Sequence, residues 1–192
     1  MIDLEWILAA RDGGNVTRYH TRTLLKPQNN AEHSFNCAIL ALEICSVMER
    51  SYDIDTNKIV THMLIHDIPE IGIGDVPHYV KKTQPEIKKA LDDAEDQWCE
   101  EHMPMNLHDN MKMEGFKDVE IAIVKFIDQY EPLLKMREEL LDGSMRARDL
   151  FTKMVETCYN CSDDYYELTK IVDNTIYTIE EESRQLHSIM GI

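Results

Sequence analysis

Ile65-His66-Asp67-Ile68-Pro69-Glu70 closes an apolar segment that begins at Ile59. A histidine and an aspartate stand side by side in it. Neighbours on a helix point about 100° apart, so two polar residues in succession rarely serve one packing purpose. At a helix end, both can reach one bound cation. Pro69, Gly72 and Gly74 mark such an end. The plainer alternative is a capped helix with a surface histidine, and the rest of the chain decides between the two.

Upstream, Asn30 reads as the N-cap of a helix running to about Arg50. Phe35, Ala38, Ile39, Leu42, Cys45 and Met48 repeat there at helical spacing, and His33 sits in the first turn. Asp55 or Thr56 caps the next helix, which ends on His66. Residues 68 to 82 read as a turn-rich connection. A charged helix follows from about Pro85 to Glu101, with Ile87, Leu91, Ala94 and Trp98 as its apolar stripe. Residues 102 to 116 carry no period. From Lys117 a long helix bears Val119, Ile123, Phe126, Ile127 and Tyr130; Asp128 interrupts that run, and Pro132 predicts a kink one turn later. Two more helices, roughly 144 to 160 and 163 to 188, close the chain. At the start, residues 2 to 11 suit a short helix with Ile2, Trp6, Leu8 and Ala9 on one face. Residues 15 to 30 form a long polar loop holding Arg18, Tyr19, His20, Arg22 and Lys26. Loops of that length in compact domains are usually functional or disordered, and the density of basic groups argues for the former.

The expected architecture is therefore all-α: a single domain over residues 1 to 192, a helical bundle of six to seven helices. Composition agrees. The chain has 7 Gly and 6 Pro in 192 residues and 43% hydrophobic content, a balance that favours helices over sheets. The formal net charge of -16 repels nucleic acid and anionic membranes, so no nucleic-acid duplex and no membrane is expected as a partner. An anionic small substrate needs a locally inverted site, made by a cation or by clustered Arg and Lys. Five cysteines, no apolar run of membrane-spanning length and an N-terminus unlike a signal peptide suggest a soluble protein of a reducing cytoplasm. Cys158 and Cys161 form a lone C-x-x-C with no second pair or neighbouring His, and read as structural.

His33, His66, Asp67 and Asp128 fall on three separate helices, each an N or O donor at or inside a buried pattern. An aspartate in a core helix is costly unless paired or metal-bound. Four such donors converging would neutralise one another around a divalent ion, and two imidazoles with two carboxylates suit Zn²⁺, Co²⁺, Mn²⁺, Ni²⁺ or Fe²⁺.

The ordered set resembles the HD-domain phosphohydrolases, and within them the small branch that acts on deoxynucleotides, with bacterial 5'-deoxynucleotidases and phage dATP triphosphohydrolases. The likeness rests on Arg18-Tyr19-His20-Thr21 with Gln28-Asn29-Asn30-Ala31-Glu32-His33-Ser34, on His66 through Pro77 with Val80-Lys81, and on Val124-Lys125-Phe126-Ile127-Asp128. It covers about residues 1 to 140; residues 141 to 192 add C-terminal helices. One departure is Tyr19, where the bacterial enzymes carry Trp, and it bears on base preference.

The resemblance implies His33, His66, Asp67 and Asp128 as metal ligands, with Co, Mn or Zn foremost and Mg or Ni as further candidates. It implies Arg18 and Lys81 on phosphate, Tyr19 beside the base or sugar, Glu70 near the attacking water, and Asp75 in support. It further implies a deoxynucleotide substrate and a homo-oligomer, dimer or hexamer. Arg22, Lys26 and Lys82 beside the motifs offer extra cations, and with the Arg18-Tyr19-His20-Thr21 form they tilt the expectation toward a dNTP triphosphohydrolase, in the host cytoplasm if phage-encoded. A 5'-deoxynucleotidase acting on monophosphates is the alternative, and a catalytically silent HD-fold binding module a further one.

Overall fold

The computed structural model describes residues 2–190. Its long helices are α1 (Leu4–Arg11), α2 (Asn30–Met48), α3 (Thr56–Ile65), then, beyond the short α4 (Glu70–Ile73) and α5 (His78–Thr83), α6 (Pro85–His102). After another short helix, α7 (Met105–Met111), come α8 (Asp118–Leu141), α9 (Arg148–Ser162) and α10 (Tyr166–Met190). The expected all-α bundle is what the chain forms. The short helices α4, α5 and α7 lie in stretches that showed no period, because four to seven residues are too few to display one. Among the described residues, no helix is long and apolar enough to cross a membrane.

The main core lies between α2, α3, α8 and α9, and Leu168 and Val172 of α10 complete it. Ile59, Met63, Ile123, Phe126, Ile127 and Leu133 are fully buried there. A second, smaller core holds Ile65, Cys99 and Met103, with Trp6, Ile68, Trp98, Leu107 and Met111 packed around them. It ties α4 to α6. Gly72 is what permits the approach: a Cβ there would stand 2.5 Å from Trp98 Cδ1.

Local chemistry sets the helix ends. Asn29, not Asn30, caps α2: its side chain accepts from the Glu32 amide at 2.9 Å, and Glu32 accepts from the Asn29 amide at 3.1 Å. With capping done by its neighbour, Asn30 turns its side chain inward. Asp55 caps α3. The buried Glu120 carboxylate accepts from the amides of Asp55 and Lys117, both at 2.8 Å, and so locks the start of α3 to the start of α8. α8 runs through Pro132 to Leu141 without interruption.

The polar loop is closed by a two-stranded antiparallel ladder, β1 (Thr17–Arg18) on β2 (Gln28–Asn29), with Arg18 opposite Gln28. Its far limb is clamped to α8. The fully buried Glu139 carboxylate accepts from the Leu25 amide at 2.7 Å and the Lys26 amide at 2.9 Å, and Lys135 donates to it at 3.2 Å.

Two expected apolar stripes are only partly buried. Ile2 and Leu8 at the first helix are exposed. On α2, Ala38, Cys45 and Met48 are buried, but Phe35, Ile39 and Leu42 face solvent. The inner face uses Cys37, Ala38 and Ala41 because small side chains let α3 and α8 approach closely.

Candidate active site

α2, the end of α3 and α8 bring His33, His66, Asp67 and Asp128 together. His33 Nε2 stands 3.3 Å from Asp128 Oδ1 and 3.7 Å from Asp67 Oδ2. His66 Nε2 stands 3.4 Å from Asp67 Oδ1 and 3.5 Å from Asp128 Oδ1. Donors around one cation with bonds of about 2.0–2.2 Å sit roughly 3–3.6 Å apart, and these separations match.

The imidazoles are aimed by their other nitrogens. His66 Nδ1 lies 3.0 Å from the Met63 carbonyl, so that nitrogen carries the proton and donates. Nε2 is left facing the cluster, buried and without a hydrogen-bond partner. His33 Nδ1 lies 2.7 Å from a Glu131 carboxylate oxygen, which fixes the same tautomer. Glu131 is itself held: Gln28 donates to it at 2.6 Å and Asn36 at 3.0 Å. A ligating histidine whose second nitrogen donates to a carboxylate or carbonyl is the usual arrangement at metal sites. The residues therefore fit a divalent cation.

The electrostatics say the same. Burial alone would strip the charge from His66, but Asp67 and Asp128 outweigh it and push the imidazole up to about 9. For His33, burial is likewise overcome, by hydrogen bonds to Asp128 and Glu131, and its pKa rises. Burial would raise Asp128, yet the two imidazoles hold its carboxyl well below the ordinary range. The donor set thus draws positive charge. Cys37, one turn after His33, forms the floor: with His33 and His66 it makes a triad whose donor atoms all lie within 4.8 Å of one another. Burial pushes its thiol far up, so it lines the site as a neutral S–H.

Two cations flank the cluster. Arg18, at the end of β1, pairs with Asp67, and its Nε is buried without a partner. Lys81 of α5 lies 3.4 Å from Glu70 and 3.6 Å from Glu95. Glu70, the first residue of α4, is buried and accepts from Asn30 at 2.8 Å. Burial, then the neighbouring Asp67 charge, push its carboxyl up to about 7 against the pull of Asn30 and Lys81. Tyr19 has a left-handed backbone, φ 56°, uncommon for a non-glycine residue. That turn sets its ring beside the Arg18 guanidinium, 5.9 Å from the centroid. Asp75 stands at the rim, 3.9 Å from His20. Lys26 does not join the site: it pairs with Asp142 at 2.7 Å beyond the end of α8.

Glu131 and Glu95 went unread in the sequence, and Asn30, taken there for a helix cap, and Gln28, quoted there only within a motif, were given no part at the site. Glu131 had a signal. It lies three residues after Asp128 in the same apolar run, and the cost of burying a carboxylate applies equally to it.

Four inward-facing donors on a helical bundle, with flanking cations and a buried carboxyl, define a metal-dependent phosphohydrolase of the HD-domain class. A family model described as "5'-deoxynucleotidase YfbR-like" matches residues 10–173, and the chain belongs to that family. A 5'-deoxynucleotidase of Pectobacterium atrosepticum is 24% identical over 88% of this chain and 90% of its own length. Among solved structures, an HD-domain phosphohydrolase of Listeria innocua superposes with a TM-score of 0.74 at 18% identity, covering 91% of this chain and 87% of the other. The cyanophage S-2L HD phosphohydrolase, solved with dA and one catalytic Zn²⁺ ion, gives 0.69 at 18% identity, covering 96% and 98%.

Proposed function

We propose that this chain hydrolyses the phosphate ester at the 5' carbon of a deoxynucleotide, with His33, His66, Asp67 and Asp128 holding a divalent ion. The observation that carries this reading is the four-donor cluster with Arg18, Lys81 and Glu70 at its edge. The names borne by the curated relatives and the dA in the cyanophage structure support a deoxynucleoside. Zinc, manganese and cobalt are the ions the family resemblance puts first, and all three suit the donors.

A bound divalent ion would supply Lewis acidity toward a phosphoryl oxygen and would acidify water. The chain's own groups do the rest. Arg18 presents a planar fork to phosphate oxygens and Lys81 a point charge. Glu70 takes the proton of the attacking water as the water oxygen closes on phosphorus; the bond to the 5' oxygen breaks, and Glu70 returns the proton to that departing oxygen, which leaves as the 5' hydroxyl. Asn30 occupies one Glu70 oxygen at 2.8 Å; the other, 3.4 Å from Lys81, takes the proton as Lys81 turns to phosphate. Tyr19 offers a ring to the sugar or base, and Asp75 with His20 supports the mouth.

The number of phosphates follows from charge. A monophosphate brings about two negative charges at neutral pH, which a metal with Arg18 and Lys81 balances. Lys26, counted in the sequence toward a triphosphate, is committed to Asp142. The monophosphate is therefore the reading we carry. The triphosphate is a second reading, favoured by Arg22 and Lys82, which form no ion pair among the described residues.

Parallel digests of dAMP and dATP with Mn²⁺, Co²⁺ or Zn²⁺ separate the two. Orthophosphate and deoxyadenosine from dAMP, with dATP slower, support the monophosphate. Inorganic triphosphate from dATP reverses the order, and no release from any deoxynucleotide removes the function.

A further inference from the structure

His33 and Cys37 stand four residues apart on α2, so both project from its inner face. Cys37 is fully buried, and its Sγ lies 3.5 Å from His33 Nε2 and 3.7 Å from His33 Nδ1. Glu131 already holds Nδ1, so Nε2 is the nitrogen left to face an ion beside the sulfur. The donor atoms of His33, Cys37 and His66 all lie within 4.8 Å of one another, and His66 Nε2 is buried without a hydrogen-bond partner. A Zn–S bond of about 2.3 Å and a Zn–N bond of about 2.1 Å, meeting at the tetrahedral angle, set their donors roughly 3.6 Å apart. The sulfur therefore stands where a donor to the same ion would stand.

Asp67 strengthens the case by being the least committed of the four expected ligands. It also pairs with Arg18, and its 3.7 Å from His33 Nε2 is the longest of the four gaps between imidazole and carboxylate. The Cys37 sulfur is closer to that nitrogen than Asp67 is. Packing asks only for a small side chain on this face, which Ala38 and Ala41 supply at their own positions. The other cysteines, Cys45, Cys99, Cys158 and Cys161, join no such donor cluster among the described residues. Thiolate sulfur is a soft ligand that selects Zn²⁺, whereas Mn²⁺ and Mg²⁺ prefer oxygen.

We propose that Cys37 is a direct ligand of the divalent ion, acting with His33, His66 and Asp128 while Asp67 is shared with Arg18, and that it turns the site toward Zn²⁺ and away from Mn²⁺. This rests on reading the cluster as a metal site and names the donor that ranks the ions for it. Cys37 lines the site as S–H until an ion replaces its proton: the S–H bond breaks, the sulfur–metal bond forms, and the proton passes to water. Cys37 and Asp128 then bring two negative charges to a divalent cation.

Co²⁺, a spectroscopic stand-in for Zn²⁺, tests it on the metal-free full chain. One equivalent should raise the visible d–d bands together with an intense near-ultraviolet sulfur-to-cobalt charge-transfer band. Cys37→Ala and Cys37→Ser should keep the helical circular dichroism and the d–d bands and lose the charge-transfer band. In chelator competition both variants should lose Zn²⁺ affinity by about 10-fold or more, at least what removing a supporting residue costs, with Mn²⁺ affinity nearly unchanged. Zinc-edge X-ray absorption of the wild type should show sulfur beside nitrogen and oxygen, an answer that needs no variant. Wild-type d–d bands without charge transfer, or a zinc shell without sulfur, overturn the thiolate ligand and leave the metal reading standing. A charge-transfer band that survives in Cys37→Ala belongs to another cysteine and overturns it equally. Zn²⁺ affinity that falls no further than Mn²⁺ affinity overturns the selectivity. A wild type that binds no Co²⁺ removes the metal reading and this one together.

Discussion

On the wall made by α2 and α8, His33 is fully buried, and Glu131 grips it at 2.7 Å with Gln28 and Asn36 behind. On the wall made by α4, α5 and α6, Glu70 and Glu95 share one lysine across gaps of 3.4 and 3.6 Å. The first wall stands on the large core and the second on the small one. Close, fully paired contacts over-determine a position, whereas long ion contacts over a thin core leave room to adjust. On the proposed function, the wall of His33 and Asp128 would hold the geometry of the metal site, and the opposite wall would exchange partners when a phosphate arrives.

The largest effect should come from the ligands. His66→Ala should abolish metal retention and activity together while the helical signal stays, measured by elemental analysis beside the assay. Metal-replete His66→Ala with normal turnover would break the comparison at its root.

Glu70→Gln should keep metal and lower turnover about 10²-fold, the usual scale for a proton acceptor. It also carries a pH signature in the metal-free protein. Glu70 is raised from 4.5 to about 7, so the folded state binds the proton more tightly than the unfolded one. Its stabilising contribution is full below about 4.5 and is lost as pH rises through about 7. The variant should match the wild type near the low end and overtake it by about 3 kcal/mol well above pH 7. Melting curves across that range, in chelator, check the sign; a constant difference would mean that the Glu70 carboxyl titrates normally.

Glu131→Gln keeps the shape and loses the charge behind His33. Metal affinity should fall about 10- to 100-fold, read by chelator competition. The smallest effect belongs to the thin core. Gly72→Ala drives a methyl into Trp98 and should cost about 1–3 kcal/mol by denaturant titration, raising KM and leaving metal affinity unchanged.

The parts legible in the sequence share one trait: a polar residue interrupts an apolar period. Asp128 and the His66-Asp67 pair stand out in that way; His33, in a polar first turn, and the set as a whole rest on the family resemblance. Glu131 and Glu139 obey the same rule, but in Gln129-Tyr130-Glu131-Pro132 and Arg137-Glu138-Glu139 the neighbours read as a charged outer face. Only the strand and loop packed on α8 show that these carboxylates point inward. The face of α2 was illegible for a related reason. Its apolar residues satisfy a helical period on two sides, and the period does not say which side meets α3 and α8. Asn29 and Asn30 are equally good caps, and a one-residue shift decides which is free to serve Glu70.

The Glu139 clamp bears on how the site meets its substrate. A loop that orders only on binding spends conformational entropy at that moment and loses affinity by the same amount. Here the amides of Leu25 and Lys26 already rest on a buried carboxylate more than a hundred residues away. The cost of fixing the segment behind Arg18 is met when the chain folds. In hydrogen exchange those two amides would stay protected as long as α8 does, a slow island within a fast loop.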